Sequence, residues 1–157
     1  MAEKKRDTGE TLICEHRRAR FDYAIDDTVE AGIQLQGSEV KALRAGEGNL
    51  NDSYVVPFRN EMFLHNAHIG TYKPAASFAH MPIRPRKLLL NRNEIDKWAA
   101  KVAERGYSIV PLSMYFKNGR VKLKLGLGKG KKEIDRRNDI KSRETRREID
   151  REMNKRR

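Results

Sequence analysis

The segment Gly126-Leu-Gly-Lys-Gly-Lys-Lys132 has the composition of a phosphate-binding loop. A nucleotide-hydrolysing loop of the Walker type needs four residues between its glycines and a Ser or Thr after the Lys to hold magnesium. Here three residues separate Gly126 from Gly130, and Lys132 follows Lys131. The segment therefore reads as a flexible basic hinge that can lie along phosphates. His65 and His68 are three apart in a strand-like stretch, which points them to opposite faces, and neither a Cys nor a third His lies near them. Cys14 and His16 lack a visible orienting partner for nucleophilic chemistry. Asp26-Asp27 reads as a tight turn between two strands, where Asp serves local hydrogen bonding. These patterns assign no catalytic residue, no metal site and no cofactor.

The basic residues say more. Lys and Arg number 34 against 22 Asp and Glu, a formal net charge of +12, and such an excess favours a polyanionic partner. No apolar run approaches the length of a membrane span, and the single Cys agrees with a reducing compartment, so a cytoplasmic nucleic-acid partner is expected and a membrane is not. His16, Arg17, Arg18 and Arg20 form one basic cluster; Arg84, Arg86 and Lys87 form a second. The two groups could converge on one face, with Arg86 and Lys87 acting through phosphates. Glu30 lies among these cations. In isolation it is an ordinary solvated strand residue; within an RNA site it would accept hydrogen bonds from base amino or imino groups, giving selectivity rather than affinity.

The elements that must position these groups are mostly short strands. Asn118-Gly119 supplies a type I′ turn inside a hairpin over residues 107–127, whose second arm alternates Val121, Leu123, Leu125 and Leu127 inward with Lys122 and Lys124 outward. Residues 54–58 and 62–69 pair around Arg59-Asn60, and residues 23–25 and 30–35 read as two further strands, about six in all. Asn91 and Glu94 form a capping box ahead of Ile95, Trp98, Ala99 and Val102, and Gly106 closes that helix. A shorter helix spans residues 38–44, and Pro74, Pro82 and Pro85 make residues 71–86 an irregular loop. The fold class is mainly β: a closed or nearly closed antiparallel barrel with two or three small helices. Residues 1–9 form a polar extension, residues 10–127 the barrel, and residues 128–157 a basic tail. The tail holds thirteen Lys/Arg and seven Asp/Glu, six of the twelve net positive charges, with only Ile134, Ile140, Ile149 and Met153 apolar. By composition it should be largely disordered when free, becoming helical where a polyanion screens it.

In order along the chain stand Arg18-Ala-Arg, Glu30-Ala-Gly-Ile, Leu35-Gln-Gly-Ser-Glu-Val-Lys-Ala-Leu-Arg44, Asp52-Ser-Tyr54, Arg86-Lys-Leu-Leu-Leu90, Val110-Pro-Leu, Met114-Tyr, Gly130-Lys-Lys and Asp135-Arg-Arg137. This series resembles the SsrA-binding protein (SmpB) family of bacteria across nearly the whole chain. The resemblance implies an oligonucleotide-binding-type barrel that holds the tRNA-like part of transfer-messenger RNA and delivers it to stalled ribosomes, by recognition and without catalysis. It implies Glu30 and Leu89 on the RNA-facing surface, beside the basic clusters. It also implies a tail from Gly130, including Lys131, Lys132, Ile134, Asp135, Arg136 and Arg137 and preceded by Lys129, that enters the vacant decoding site and message channel. His16 stands where the family usually has Asn, Ile134 where an aromatic ring usually precedes Asp-Lys-Arg, and Arg136 where Lys is usual. The expected partners are transfer-messenger RNA and ribosomal RNA, with the protein a monomer. A constitutive ribosomal protein or translation factor is the competing reading, since basic tails on small barrels suit that role too.

Overall fold

A computed structural model describes residues 9–71, 81–104 and 106–156. Its elements are, in order, β1 (Glu10–Glu15), α1 (Ala19–Asp22), β2 (Tyr23–Ile33), α2 (Gly37–Arg44), β3 (Gly48–Asn49), β4 (Tyr54–Phe58), β5 (Glu61–His65), β6 (His68–Ile69), β7 (Arg86–Leu89), α3 (Arg92–Ala103), β8 (Tyr107–Lys117), β9 (Arg120–Gly130) and α4 (Glu133–Lys155).

Seven strands form one antiparallel sheet in the order β1-β8-β4-β5-β7-β2-β9, and β9 also pairs with β8. That last pairing closes a six-stranded barrel, β8-β4-β5-β7-β2-β9, with β1 added on β8 and β3-β6 as a separate two-stranded ribbon. Both tight hairpins are built as their residues dictate. Asn118 and Gly119 have φ of 50° and 76°, and Arg59 and Asn60 have 47° and 61°, the positive values that a two-residue hairpin turn needs.

Alternation then sorts the side chains. Leu123 and Leu125 are fully buried between strands, joined by Met62, Leu64, Leu88, Ile109 and Met114, and each such side chain contributes about 1.5–3 kcal/mol by leaving water. Helix α3 begins at the expected capping box, with the Asn91 amide donating to Glu94 Oε2 at 3.2 Å. It buries Ile95 and Trp98 in this core. Trp98 Nε1 donates to Asp27 Oδ2 at 3.4 Å, so the indole keeps a polar partner. Ala19 of α1 packs with Val110, Leu112, Tyr23 and Ile25 in a second, smaller cluster.

Four expectations change. Residues 23–25 and 30–35 are not two strands: β2 runs unbroken through Asp26-Asp27, with Asp26 the one extra residue of a bulge against β9 between Ile25 and Asp27. A bulge interrupts alternation without ending a strand. The segment of residues 10–15 is a strand, β1, although its largely exposed pattern carries little periodicity. β9 runs to Gly130, three residues beyond the boundary drawn from composition, and pairs with β2 to its end. Gly128 is obligatory there, because a Cβ would come within 2.2 Å of the Ala24 carbonyl oxygen.

The tail is the fourth. Expected to be largely disordered when free and helical against a polyanion, residues 133–155 form a 23-residue helix with no buried residue. The segment has neither Gly nor Pro, and its first turn is anchored. The Lys131 amide donates to Asp22 O at 2.8 Å. Lys131 Nζ donates to Arg20 O at 2.9 Å and pairs with Asp139. Fixing the first turn offsets the nucleation penalty that an isolated helix would meet. Along the helix, Glu133 and Arg137 pair across one turn at 2.8 Å. Arg143 lies over the Phe21 ring of α1 at 5.9 Å. The loop expected over residues 71–86 lies partly outside the described residues, as does the extension of residues 1–9, of which only Gly9 is described.

Candidate nucleic-acid interface

The outward positions of β2, β7, β8 and β9 meet on one side of the barrel. Cross-strand register sets Glu30 opposite Lys124, Gly32 opposite both Lys122 and Leu89, and Lys122 opposite Tyr115. Gly32 lets Leu89 lie flat across β2, since a Cβ at Gly32 would stand 3.1 Å from that of Leu89. An open groove of about 580 Å³ is lined here by Glu30, Lys87, Leu89, Asn91, Arg92 and Lys122, among others. Leu89 is 54% exposed, an apolar side chain standing in a charged groove.

Glu30 is held in place. Tyr115 Oη donates to its Oε2, and Lys117 Nζ lies 3.3 Å from the same carboxylate. The Tyr115 hydrogen bond is the larger cause holding the Glu30 carboxyl below the usual carboxylate range, with Lys117 and Lys122 assisting against a smaller opposing effect of burial. The phenol in turn is pushed above its ordinary value, first by burial and then by the carboxylate. Glu30 is thus an ionised acceptor with a fixed orientation, set beside Lys117 and Lys122 in a groove of mixed charge, an arrangement fitted to base amino and imino donors and not to phosphate.

The first basic cluster lines a different groove, of about 690 Å³, with Glu15, His16, Arg17, Arg18, Asp22, Asn51 and Asp52 on its walls. The His16 amide donates to Leu112 O at 2.8 Å, and its Nδ1 lies 3.0 Å from Pro111 O. With Nδ1 donating, Nε2 is left for an outside partner. Arg17 and Arg20 are exposed, and Arg18 pairs loosely with Asp22 at 3.8 Å. The two grooves share no lining residue.

Arg86 departs most from expectation. It does not face phosphates: its side chain is 0% exposed, and Nε donates to Glu39 Oε2 at 2.6 Å in an equally buried ion pair. Its Nη1 donates to Ala67 O at 2.8 Å and its Nη2 to Pro82 O at 3.2 Å, while Arg84 Nε reaches the other Glu39 oxygen at 2.8 Å. Alternation makes the reason plain: Arg86 pairs with Leu64 and Lys87 with Phe63, so Arg86 faces in and Lys87 out. Lys87 remains at the surface, 2.8 Å from Glu61.

In the tail, Lys129 belongs to β9 and sits 4.8 Å over the Tyr107 ring, and Gly130 ends the strand. Lys132 and Asp135 are exposed, Ile134 is 65% exposed, and Arg136 Nε lies 3.9 Å from Asp22. Sequence reasoning missed Lys122 as a groove residue and Tyr115 and Lys117 as the partners that hold Glu30. The hairpin register around Asn118-Gly119 carries that information, since it places Tyr115 beside Lys122. No helix among the described residues is long and apolar enough to cross a membrane.

The comparisons with known proteins agree with one another. The family model described as SmpB protein matches residues 13–155. The SsrA-binding protein of Myxococcus xanthus (strain DK1622) is 60% identical over 148 residues, covering 94% of this chain and 91% of that protein. The SsrA-binding protein of Geobacillus sp. (strain WCH70) is 50% identical, covering 92% of this chain and 94% of the relative. A solved structure described as "tmRNA-SmpB: a journey to the center of the bacterial ribosome" is 43% identical with a TM-score of 0.65, covering 76% of this chain and 85% of that one. Matched through both barrel and tail, the chain belongs to the SmpB family.

Proposed function

We propose that this chain is a non-enzymatic RNA adaptor of the bacterial cytoplasm, which binds the tRNA-like part of transfer-messenger RNA and delivers it to stalled ribosomes for trans-translation. The observation that carries the reading is Glu30, a carboxylate fixed by Tyr115 within a groove of Lys87, Lys122 and Leu89 on a chain of net charge +12. An anion has no use toward phosphate, and its place among cations fits an acceptor for bases. Family membership and the names of the relatives support the identity of the RNA.

Within this reading, Glu30, Leu89 and Lys87 contact the tRNA-like RNA, and His16, Arg17, Arg18 and Arg20 form a second contact surface. The tail from Lys131 to Arg137 enters the vacant decoding site and message channel. Ile134, lacking a ring, contributes apolar contact there and not base stacking. Arg136 and Arg137 contribute planar cations to ribosomal phosphates.

Truncation separates barrel from tail. A cut after Lys132 spares β9 and removes only a helix without buried residues. The truncated protein should fold, bind the tRNA-like RNA with nearly full affinity, and fail to support tagging on stalled ribosomes. Full tagging activity without residues 133–157 would overturn the proposed role of the tail.

A further inference from the structure

The outer face of the β4-β5 hairpin carries rings that the fold does not use. Val55, Met62 and Leu64 fill the core from this hairpin, and the alternate positions face outward. Tyr54 stacks on His65 across the pair, with centroids 5.4 Å apart and planes 5° from parallel. One step along, Val56 faces Phe63, and Phe63 meets Phe58 edge-on at 6.5 Å. Tyr54 is 44% exposed and Phe58 57%. The Arg59 guanidinium lies 5.2 Å over the Phe58 ring.

This surface runs into the Glu30 groove. Phe63 pairs with Lys87 across β5-β7, and Asn60, Glu61 and Lys87 line that groove. Glu61, the acidic side chain at the junction, is paired with Lys87 at 2.8 Å, which leaves the cation Arg59 at the tip of the hairpin.

We infer that the outer face of β4-β5 is a stacking platform for unpaired nucleobases of the same RNA that the Glu30 groove holds. The inference rests on the RNA-binding reading of that groove. Exposed rings backed by a guanidinium, on a basic chain, suit bases whose π faces are free and whose phosphates pass a cation. Bases within a duplex offer no such face, so the occupant is a loop or a single-stranded segment. A platform of this kind adds affinity with little sequence preference, complementing the selective acceptor at Glu30.

The test is equilibrium binding of the full-length chain to a transcript of the tRNA-like domain over a range of salt. Tyr54→Ala combined with Phe58→Ala should weaken binding about tenfold or more, from two lost stacking contacts. The slope against salt should stay unchanged, because no phosphate contact is lost. Tyr54→Phe, which keeps a ring, should bind within about twofold of the wild type. Both altered positions are exposed, and Trp98 fluorescence monitors folding. Glu30→Ala serves as the control for the groove. If it loses affinity while the Tyr54/Phe58 variant binds like the wild type, the platform is wrong and the groove stands. If neither variant changes binding, both readings fall. Loss only in the Tyr54/Phe58 variant supports the platform and removes Glu30 from the contact set.

Discussion

Replacing Arg86 should damage stability and leave RNA recognition almost untouched below the melting transition. The Arg86 and Glu39 side chains are each 0% exposed, and the Arg86 guanidinium also supplies the carbonyls of Ala67 and Pro82. Arg86→Ala strips those carbonyls of a donor and leaves Glu39 with Arg84, whose side chain is 27% exposed. Removing one partner of a buried ion pair costs about 3–5 kcal/mol. At about 2–4 °C per kcal/mol for a chain of this length, the melting temperature should fall by roughly 6–20 °C. Arg86→Lys should recover part of the loss, since an ammonium reaches Glu39 but cannot serve two carbonyls in a planar fork. Urea unfolding followed by Trp98, the single tryptophan and a buried one, reads the change. RNA titrations over salt give the contrast: Lys87→Ala should lower the slope magnitude by about 0.7–0.9, and Arg86→Lys should leave it unaltered. An Arg86→Ala protein as stable as the wild type, with a flattened salt slope, would refute the buried-pair assignment.

Four further outcomes follow from the structure. Glu30→Ala should weaken binding of the authentic RNA, although deleting an anion would favour a polyanion by charge alone; tighter binding would remove Glu30 from recognition. Because the Glu30 carboxyl is held below its ordinary range, its contribution to stability is fully present above that range and is lost as pH falls through the lowered value. Tyr115→Phe should shift that loss to higher pH, as a carboxyl-resolved NMR titration would record. Burial pushes the Cys14 thiol up to about 11 from 9.0, so iodoacetamide at pH 8 should label the native protein roughly a hundred times more slowly than the unfolded chain. A synthetic peptide of residues 131–157, deprived of the Asp22 and Arg20 carbonyl anchors, should show mainly coil by circular dichroism while the full chain keeps α4 helical. A stably helical peptide would show that docking on α1 is dispensable.

The parts of the fold that sequence reveals are those written in local chemistry. Asn118-Gly119, the Asn91 and Glu94 capping box and the alternation from Val121 to Leu127 each demand one conformation, and each is found. What sequence hides is long-range. The partner that buries Arg86 lies 47 residues away at Glu39, and nothing local distinguishes Arg86 from its exposed neighbour Lys87 except which face of β7 each occupies. Asp26-Asp27 reads as a turn because a bulge and a turn both tolerate consecutive polar residues. The tail composition correctly signals a segment without a core, yet cannot show that Lys131 ties its first turn to α1. For the groove, charge and the resemblance point to Glu30 and Leu89, while Tyr115 emerges only when the register of β8 against β9 is known.

The most direct measurement is to isolate the protein from growing bacteria, wash the ribosomes in high salt, and sequence the RNA that remains with the released protein. An adaptor should leave the ribosomes in the wash carrying one small stable RNA, transfer-messenger RNA, in near-stoichiometric amount, and Glu30→Ala should reduce that yield. Retention on the washed subunits without that RNA would contradict the account and identify a constitutive ribosomal protein instead.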